Sequence, residues 1–185
     1  MGELKADLSN EIIAVTGGGG VLCGAMAKAL AEAGAAVAIL DIAEDAAGEL
    51  ADEINDAGGR ALPVRCNVLD KDSIVAACET VSDELGTPTT LVNGAGGNKA
   101  EATTKPDLSF FDLPADAVQW VFSLNFLGTF MPSQVFGKVM AEENAGNIVN
   151  ISSMNAFTPL TRIPAYSAAK AAVSNFTQWL AVHMN

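Results

Sequence analysis

Ile12-Ile13-Ala14-Val15-Thr16-Gly17-Gly18-Gly19-Gly20-Val21-Leu22-Cys23-Gly24 joins a short β-branched run to four consecutive glycines and then to an Ala-rich segment. That order predicts a strand over Ile12–Thr16, a tight turn, and a helix from about Val21 to Ala33. Glycines let the backbone turn sharply and approach an anionic group. The helix start adds N–H groups that have no internal acceptor. A glycine cluster in this position is therefore expected to seat a diphosphate, with Thr16, Gly17, Gly20, Val21 and Leu22 as candidate contacts.

The alternation continues along the chain. Strands are expected at Ala36–Leu40, Ala61–Arg65, Thr90–Asn93 and Asn147–Ile151. Between them, helices are expected at Glu44–Ala57, from an Asp70 cap to Leu85, at Ala115–Met140 as one long element, and at Ala165–His183. Repeated βαβ units imply an α/β fold, a doubly wound parallel sheet of Rossmann type, covered by helices on both faces. Ligands of such sheets bind beyond the carboxyl ends of the strands, where the winding reverses. A chain of 185 residues reads as one domain over residues 1–185.

Half of the residues are apolar, enough for a sizeable core, and the formal charge of −12 argues against nucleic acid as a partner. Cys23, Cys66 and Cys78 are odd in number and lack paired zinc spacing, so they read as small buried residues in a reducing cytoplasm. His183 is the only histidine, which excludes a His-based triad and a multi-His metal centre; no metal is expected. No secretory pattern opens the chain, and the uncharged stretch Ile12–Ala27 is broken by five glycines, which makes a poor bilayer span. A protein without a membrane segment, acting on a small molecule, is the expectation.

Asp41 closes the second expected strand. A carboxylate there can accept hydrogen bonds from an adenosine ribose diol, and it repels a 2′-phosphate. Glu44 and Asp45 follow, with no cation at hand. Like charges about 4 Å apart cost roughly 4 kcal/mol even at an effective dielectric of 20. NAD is expected over NADP. Further on, Tyr166-Ser167-Ala168-Ala169-Lys170 sets a phenol and an ammonium four residues apart on one helix face. A nearby cation favours phenolate, so such a Tyr can exchange a proton with a substrate oxygen.

Taken with Ser153 shortly upstream, these residues resemble the short-chain dehydrogenase/reductase family over essentially the whole chain. The resemblance implies a catalytic tetrad of Asn125 (in Leu124-Asn125-Phe126-Leu127-Gly128), Ser153, Tyr166 and Lys170. Of Ser152 and Ser153, the family spacing of thirteen residues before the Tyr selects Ser153 and leaves Ser152 a structural hydroxyl. Ser153 would hold the reacting oxygen and Tyr166 act as general acid/base. Lys170 would bind the nicotinamide ribose and lower the Tyr pKa, while Asn125 positions a water. Asn93-Gly94-Ala95-Gly96 resembles the segment that lies against the cofactor and steadies the sheet. Asn67-Val68 resembles the adenine-contacting pair, with Asn67 where the family usually has Asp.

The glycine turn departs from the family's commonest short form, Thr-Gly-x-x-x-Gly-x-Gly. It is nearer Thr-Gly-x-x-Gly-x-x-Gly, with Cys23 in the third place. That spacing also occurs in nucleotide-sugar epimerases and dehydratases; the Ser–Tyr spacing and Asn-Gly-Ala-Gly speak against them. A catalytically silent dinucleotide-binding module is the other rival, opposed by the complete tetrad. Asn93 to Asn98 and Ser153 to Leu160 resemble the branch of fructuronate reductases and mannonate oxidoreductases. This implies oxidation of a secondary alcohol or reduction of a ketone in a sugar acid. Asn98 and Asn155 would face hydroxyls, and Arg162 would be available to the carboxylate. The resemblance further implies a homodimer or homotetramer packed through the Asn125 and Tyr166 helices. It also implies further strands, so the chain is expected to be incomplete at its C-terminal end.

Overall fold

The computed structural model describes residues 6–158 and 160–184. Strands β1 (Ile12–Thr16), β2 (Ala36–Asp41), β3 (Arg60–Arg65), β4 (Thr90–Asn93) and β5 (Asn147–Asn150) form one parallel sheet in the order β3-β2-β1-β4-β5. The chain winds outward from β1 to β3, then returns to place β4 on the other side of β1. The winding reverses between β1 and β4, so their carboxyl ends frame the crevice expected of this topology.

Side chains of successive strand residues face opposite sides, and each side has its own core. Ile13, Val15, Val37 and Ile39 pack against helices α1 (Val21–Glu32) and α2 (Glu44–Asp56). Ala14, Ala38, Leu40 and Leu91 pack against α3 (Lys71–Glu84) and the later part of the helix that precedes β5. Small residues at these contacts, such as Ala27, Ala31, Ala47 and Ala51, let α1 and α2 lie close to the sheet. Asp70 caps α3, accepting from the N–H groups of Asp72 and Ser73. Among the described residues no helix is long and apolar enough to cross a membrane.

The expected single helix over Ala115–Met140 is corrected by the structure. It comprises α4 (Ala115–Phe122), a π-helical turn over Ser123–Leu127, and α5 (Gly128–Glu142). The Asn125 side chain supplies a local reason: its amide donates to the Val121 carbonyl at 2.8 Å, competing with the backbone ladder. Further along, Pro132 has no N–H to offer the carbonyl one turn back. The last helix, α6 (Pro164–His183), begins with Pro at a first-turn position, where a missing N–H costs nothing.

Candidate active site

A cleft of about 480 Å³ opens at the carboxyl ends of β1, β2 and β4. Its walls join the glycine turn, Asp41, the segment after β3, the segment after β4, and residues of α6. Two turns form its floor. Thr16 Oγ1 accepts from the N–H groups of Gly94 and Ala95 at 3.1 and 3.2 Å, so the turn after β1 is fastened to the turn after β4. Gly17 has φ of +66°, and a Cβ there would stand 2.9 Å from the Ala95 backbone, so both conformation and space require glycine.

Thr16 and Asn93 are both buried and stand one layer behind the cleft surface. Asn93 donates to Ser133 Oγ and Asn150 Oδ1 at 3.0 and 2.9 Å, tying β4 to α5 and β5. Gly17, Gly20, Val21, Leu22, Asp41, Asn67, Val68 and Gly94 to Gly96 line the cleft itself. By helix geometry the N–H groups of Val21, Leu22 and Cys23 lack acceptors within α1, which suits an anionic diphosphate. Cys23 is buried, and its sulfur occupies the space that any Cβ at position 94 would need. Ile42, exposed on one side of the cleft, and buried Val68 provide apolar surface for a flat base.

At the other end of the cleft, Asn125, Tyr166 and Lys170 line the wall, whereas Ser153 is not among its lining residues. Asn125 is fully buried; it donates to Gly97 O at 2.6 Å and accepts from Gly97 N–H at 3.2 Å. Its side chain therefore clamps the segment after β4. Lys170 is buried, and its ammonium donates to Ile151 O at 2.7 Å. Burial pushes this ammonium below the ordinary lysine value, the nearby Cys23 acting weakly in the opposite direction. The ammonium lies 5.7 Å from the Tyr166 ring centre, and both residues line the cleft. Ser152 Oγ is engaged with Lys170 O at 3.1 Å and Ser174 Oγ at 2.6 Å, whereas Ser153 Oγ accepts only from Asn155 N–H among the described residues.

The residues expected at the substrate are less gathered. Asn98 is exposed and donates to Thr103 Oγ1 at 2.7 Å, within its own loop. Arg162 is exposed, and its Nε donates to Thr104 O at 3.2 Å, which joins the loop after β4 to the loop before α6. Asn155 is buried, and among the described residues its side-chain amide has no hydrogen-bond partner. Pro159 lies outside the described residues. Cys23, Ile42, Cys66, Gly97, Leu124 and Ile151 line the cleft without having been expected there as contacts. Ile42, Cys66 and Ile151 are apolar residues just past strand ends, which the sequence pattern alone assigns to core.

A family model described as short chain dehydrogenase matches residues 11–185. An uncharacterized oxidoreductase of Haemophilus influenzae is 48% identical over 97% of this chain and 66% of its own length. Another from Bacillus subtilis, the uncharacterized oxidoreductase UxuB, is 44% identical over 97% of this chain and 68% of its own. Among solved structures, a candidate D-mannonate oxidoreductase of Haemophilus influenzae, crystallised with NAD, superposes with a TM-score of 0.90. It is 49% identical, and the match covers 96% of this chain and 67% of that one. The chain thus spans about two thirds of the length of these relatives.

Proposed function

The chain belongs to the short chain dehydrogenase family, and from that premise we propose that residues 1–185 are one dinucleotide-binding domain of an NAD-dependent oxidoreductase interconverting a secondary alcohol and a ketone. The observation that carries this reading is one cleft in which a phenol and a buried ammonium, Tyr166 and Lys170, share walls with Asp41 and the glycine turn. The residues present fit the dinucleotide. Amides of Val21 and Leu22 would hold its diphosphate, Asp41 its adenosine ribose, and Ile42 and Val68 its base. When bound, NAD supplies the hydride chemistry.

The chain's own part is proton handling and position. Ser153, with its hydroxyl free of the contacts that hold Ser152, orients the reacting oxygen. Tyr166 gives that oxygen a proton or takes one from it, and Lys170 presents positive charge beside the ring and would hold the nicotinamide ribose. Asn125 acts by holding Gly97, and with it the cleft wall. A sugar acid such as fructuronate or mannonate is the proposed substrate class. Asn155, buried two residues beyond Ser153 and with no side-chain hydrogen-bond partner among the described residues, supports recognition of a hydroxyl beside the reacting carbon. Arg162, and less directly Asn98, would serve the far end of the substrate.

Aromatic residues continue across α5 and α6, with Phe130 against Phe176 at 5.2 Å and Trp179 stacked on Phe176 at 6.3 Å. Trp179 is 56% exposed, which supports a homodimer or homotetramer formed through these helices. Three buried free thiols suit a reducing cytoplasm. The reading is tested by fluorescence titration with NADH and NADPH, followed by an absorbance assay at the nicotinamide band with fructuronate or mannonate. Binding of NADH with clear preference, and substrate-dependent change in absorbance, is expected. Equal or tighter NADPH binding would remove the cofactor assignment, and turnover without net absorbance change would favour an epimerase or dehydratase.

A further inference from the structure

Asp41 divides its carboxylate between two main-chain donors. Oδ2 accepts from the Gly19 N–H at 3.0 Å, and Oδ1 accepts from the Ala43 N–H at 2.9 Å. Gly19 stands third in a run of four glycines. Such a run loses more conformational freedom on folding than other residues would, so an ordered turn there requires tethers. Two are neutral: Gly20 N–H to Gly17 O at 3.0 Å, internal to the turn, and Gly18 N–H to Leu40 O at 3.2 Å. The Asp41 carboxylate supplies a charge-assisted one. The space beside Gly19 is also closed, since a Cβ there would stand 3.1 Å from Ala46 Cβ and 3.2 Å from Asp41 Oδ2. The turn is thus pressed onto the junction of β2 and α2, with Asp41 as its fastening.

We propose that Asp41 is a positioning residue for the phosphate-binding turn, acting on the dinucleotide's diphosphate through Gly19 and independently of any contact with ribose. This rests on the dinucleotide reading of the cleft, and it extends the role of Asp41 to a part of the ligand that it does not touch. Because the carboxylate takes the Gly19 N–H, the diphosphate is left to the amides of Val21 and Leu22, whose placement depends on the tethered turn. Discrimination and order are therefore coupled in one side chain. Replacing Asp41 to admit a 2′-phosphate also loosens the seat that both dinucleotides share.

A ligand that lacks the ribose diol separates the two roles. Calorimetric dissociation constants are measured for ADP and for 2′,3′-dideoxy-ADP on the wild-type chain, on Asp41→Ala and on Asp41→Ser. Serine can still accept from the local Ala43 N–H but is too short to hold Gly19. Both variants should bind dideoxy-ADP about five- to tenfold more weakly than wild type does, as expected for losing a charge-assisted tether. Removing a carboxylate near a diphosphate would by itself tighten binding, so the sign is diagnostic. Exchange of the Gly19 amide, followed by NMR, should accelerate in Asp41→Ser while core amides keep their protection. Unchanged or tighter dideoxy-ADP binding in the folded variants would overturn the proposal alone. A wild-type chain that binds neither nucleotide would instead overturn the dinucleotide reading beneath it.

Discussion

Lys170 donates its ammonium to the main-chain carbonyl of Ile151 at 2.7 Å, tying the helix that carries Tyr166 to the segment after β5. The side chain is only 4% exposed, and burial lowers its pKa from the ordinary 10.5. Lys170→Met should therefore abolish turnover with little net loss of stability at neutral pH. Relief of a buried charge offsets the lost hydrogen bond to within about 1 kcal/mol. The pH dependence has a definite sign. Between the lowered folded value and 10.5 the unfolded chain binds the extra proton, so this group makes wild-type stability rise with pH. Urea midpoints should show Lys170→Met losing ground to wild type as pH climbs toward 10.5; a gap moving the other way would contradict a buried ammonium.

Tyr166→Phe keeps the ring against the cleft and removes only the hydroxyl. Turnover should fall by about two to four orders of magnitude, the usual worth of a positioned general acid, while the NADH dissociation constant changes little. Single-turnover and binding measurements on the same preparation check both halves. Retention of most of the activity would assign proton transfer elsewhere.

What the sequence revealed, and what it hid, follows from the range of the forces involved. The first strand, the glycine turn and the Tyr166–Lys170 pair are patterns local to a few residues; the strand lies where its pattern implied, and the turn and the pair line one cleft. The π-helical turn at Ser123–Leu127 was hidden because the apolar periodicity runs on through it. Its cause includes an Asn125 amide held between Val121 and Gly97, the latter brought near only by the tertiary fold. Ile42, Cys66 and Ile151 read as core residues because an apolar strand end looks the same whether it faces a helix or a ligand cleft. Asn98 is a polar residue in a loop, and nothing in its neighbours announced that its amide would turn to Thr103.

Burial raises the thiol pKa of both Cys66 and Cys78 from 9.0 to about 11. The folded state holds these protons more tightly than the unfolded one. Their contribution is therefore complete below pH 9 and is lost as pH rises through about 11. At that limit the loss is on the order of 2–3 kcal/mol per thiol. Denaturation midpoints should fall across this window, and Cys78→Ala should flatten the decline. At pH 8 neither thiol should react with a disulfide reagent until denaturant is added. Rapid labelling of the native protein would show that these groups are not buried.

Cys23 and Gly94 must be chosen together. A Cβ at position 94 would overlap the Cys23 sulfur and stand 2.9 Å from Thr16 O, while lying 3.6 Å, an ordinary contact, from Cys23 Cβ. The sulfur is therefore the removable part of the clash and the backbone oxygen the fixed part. Gly94→Ala should destabilise the protein by about 1–3 kcal/mol, the usual cost of overpacking, and should weaken NADH binding because Gly94 lines the cleft. Cys23→Ala alone removes one buried atom and should cost less, about 1 kcal/mol. Combined, the two changes should cost clearly less than their sum, leaving the residue of strain against Thr16. A double-mutant cycle on urea midpoints measures the coupling, expected at about 1 kcal/mol or more. Strictly additive penalties would mean that the thiol and the glycine do not share this space, and that the departure of Cys23 from the common glycine pattern is not compensated at position 94.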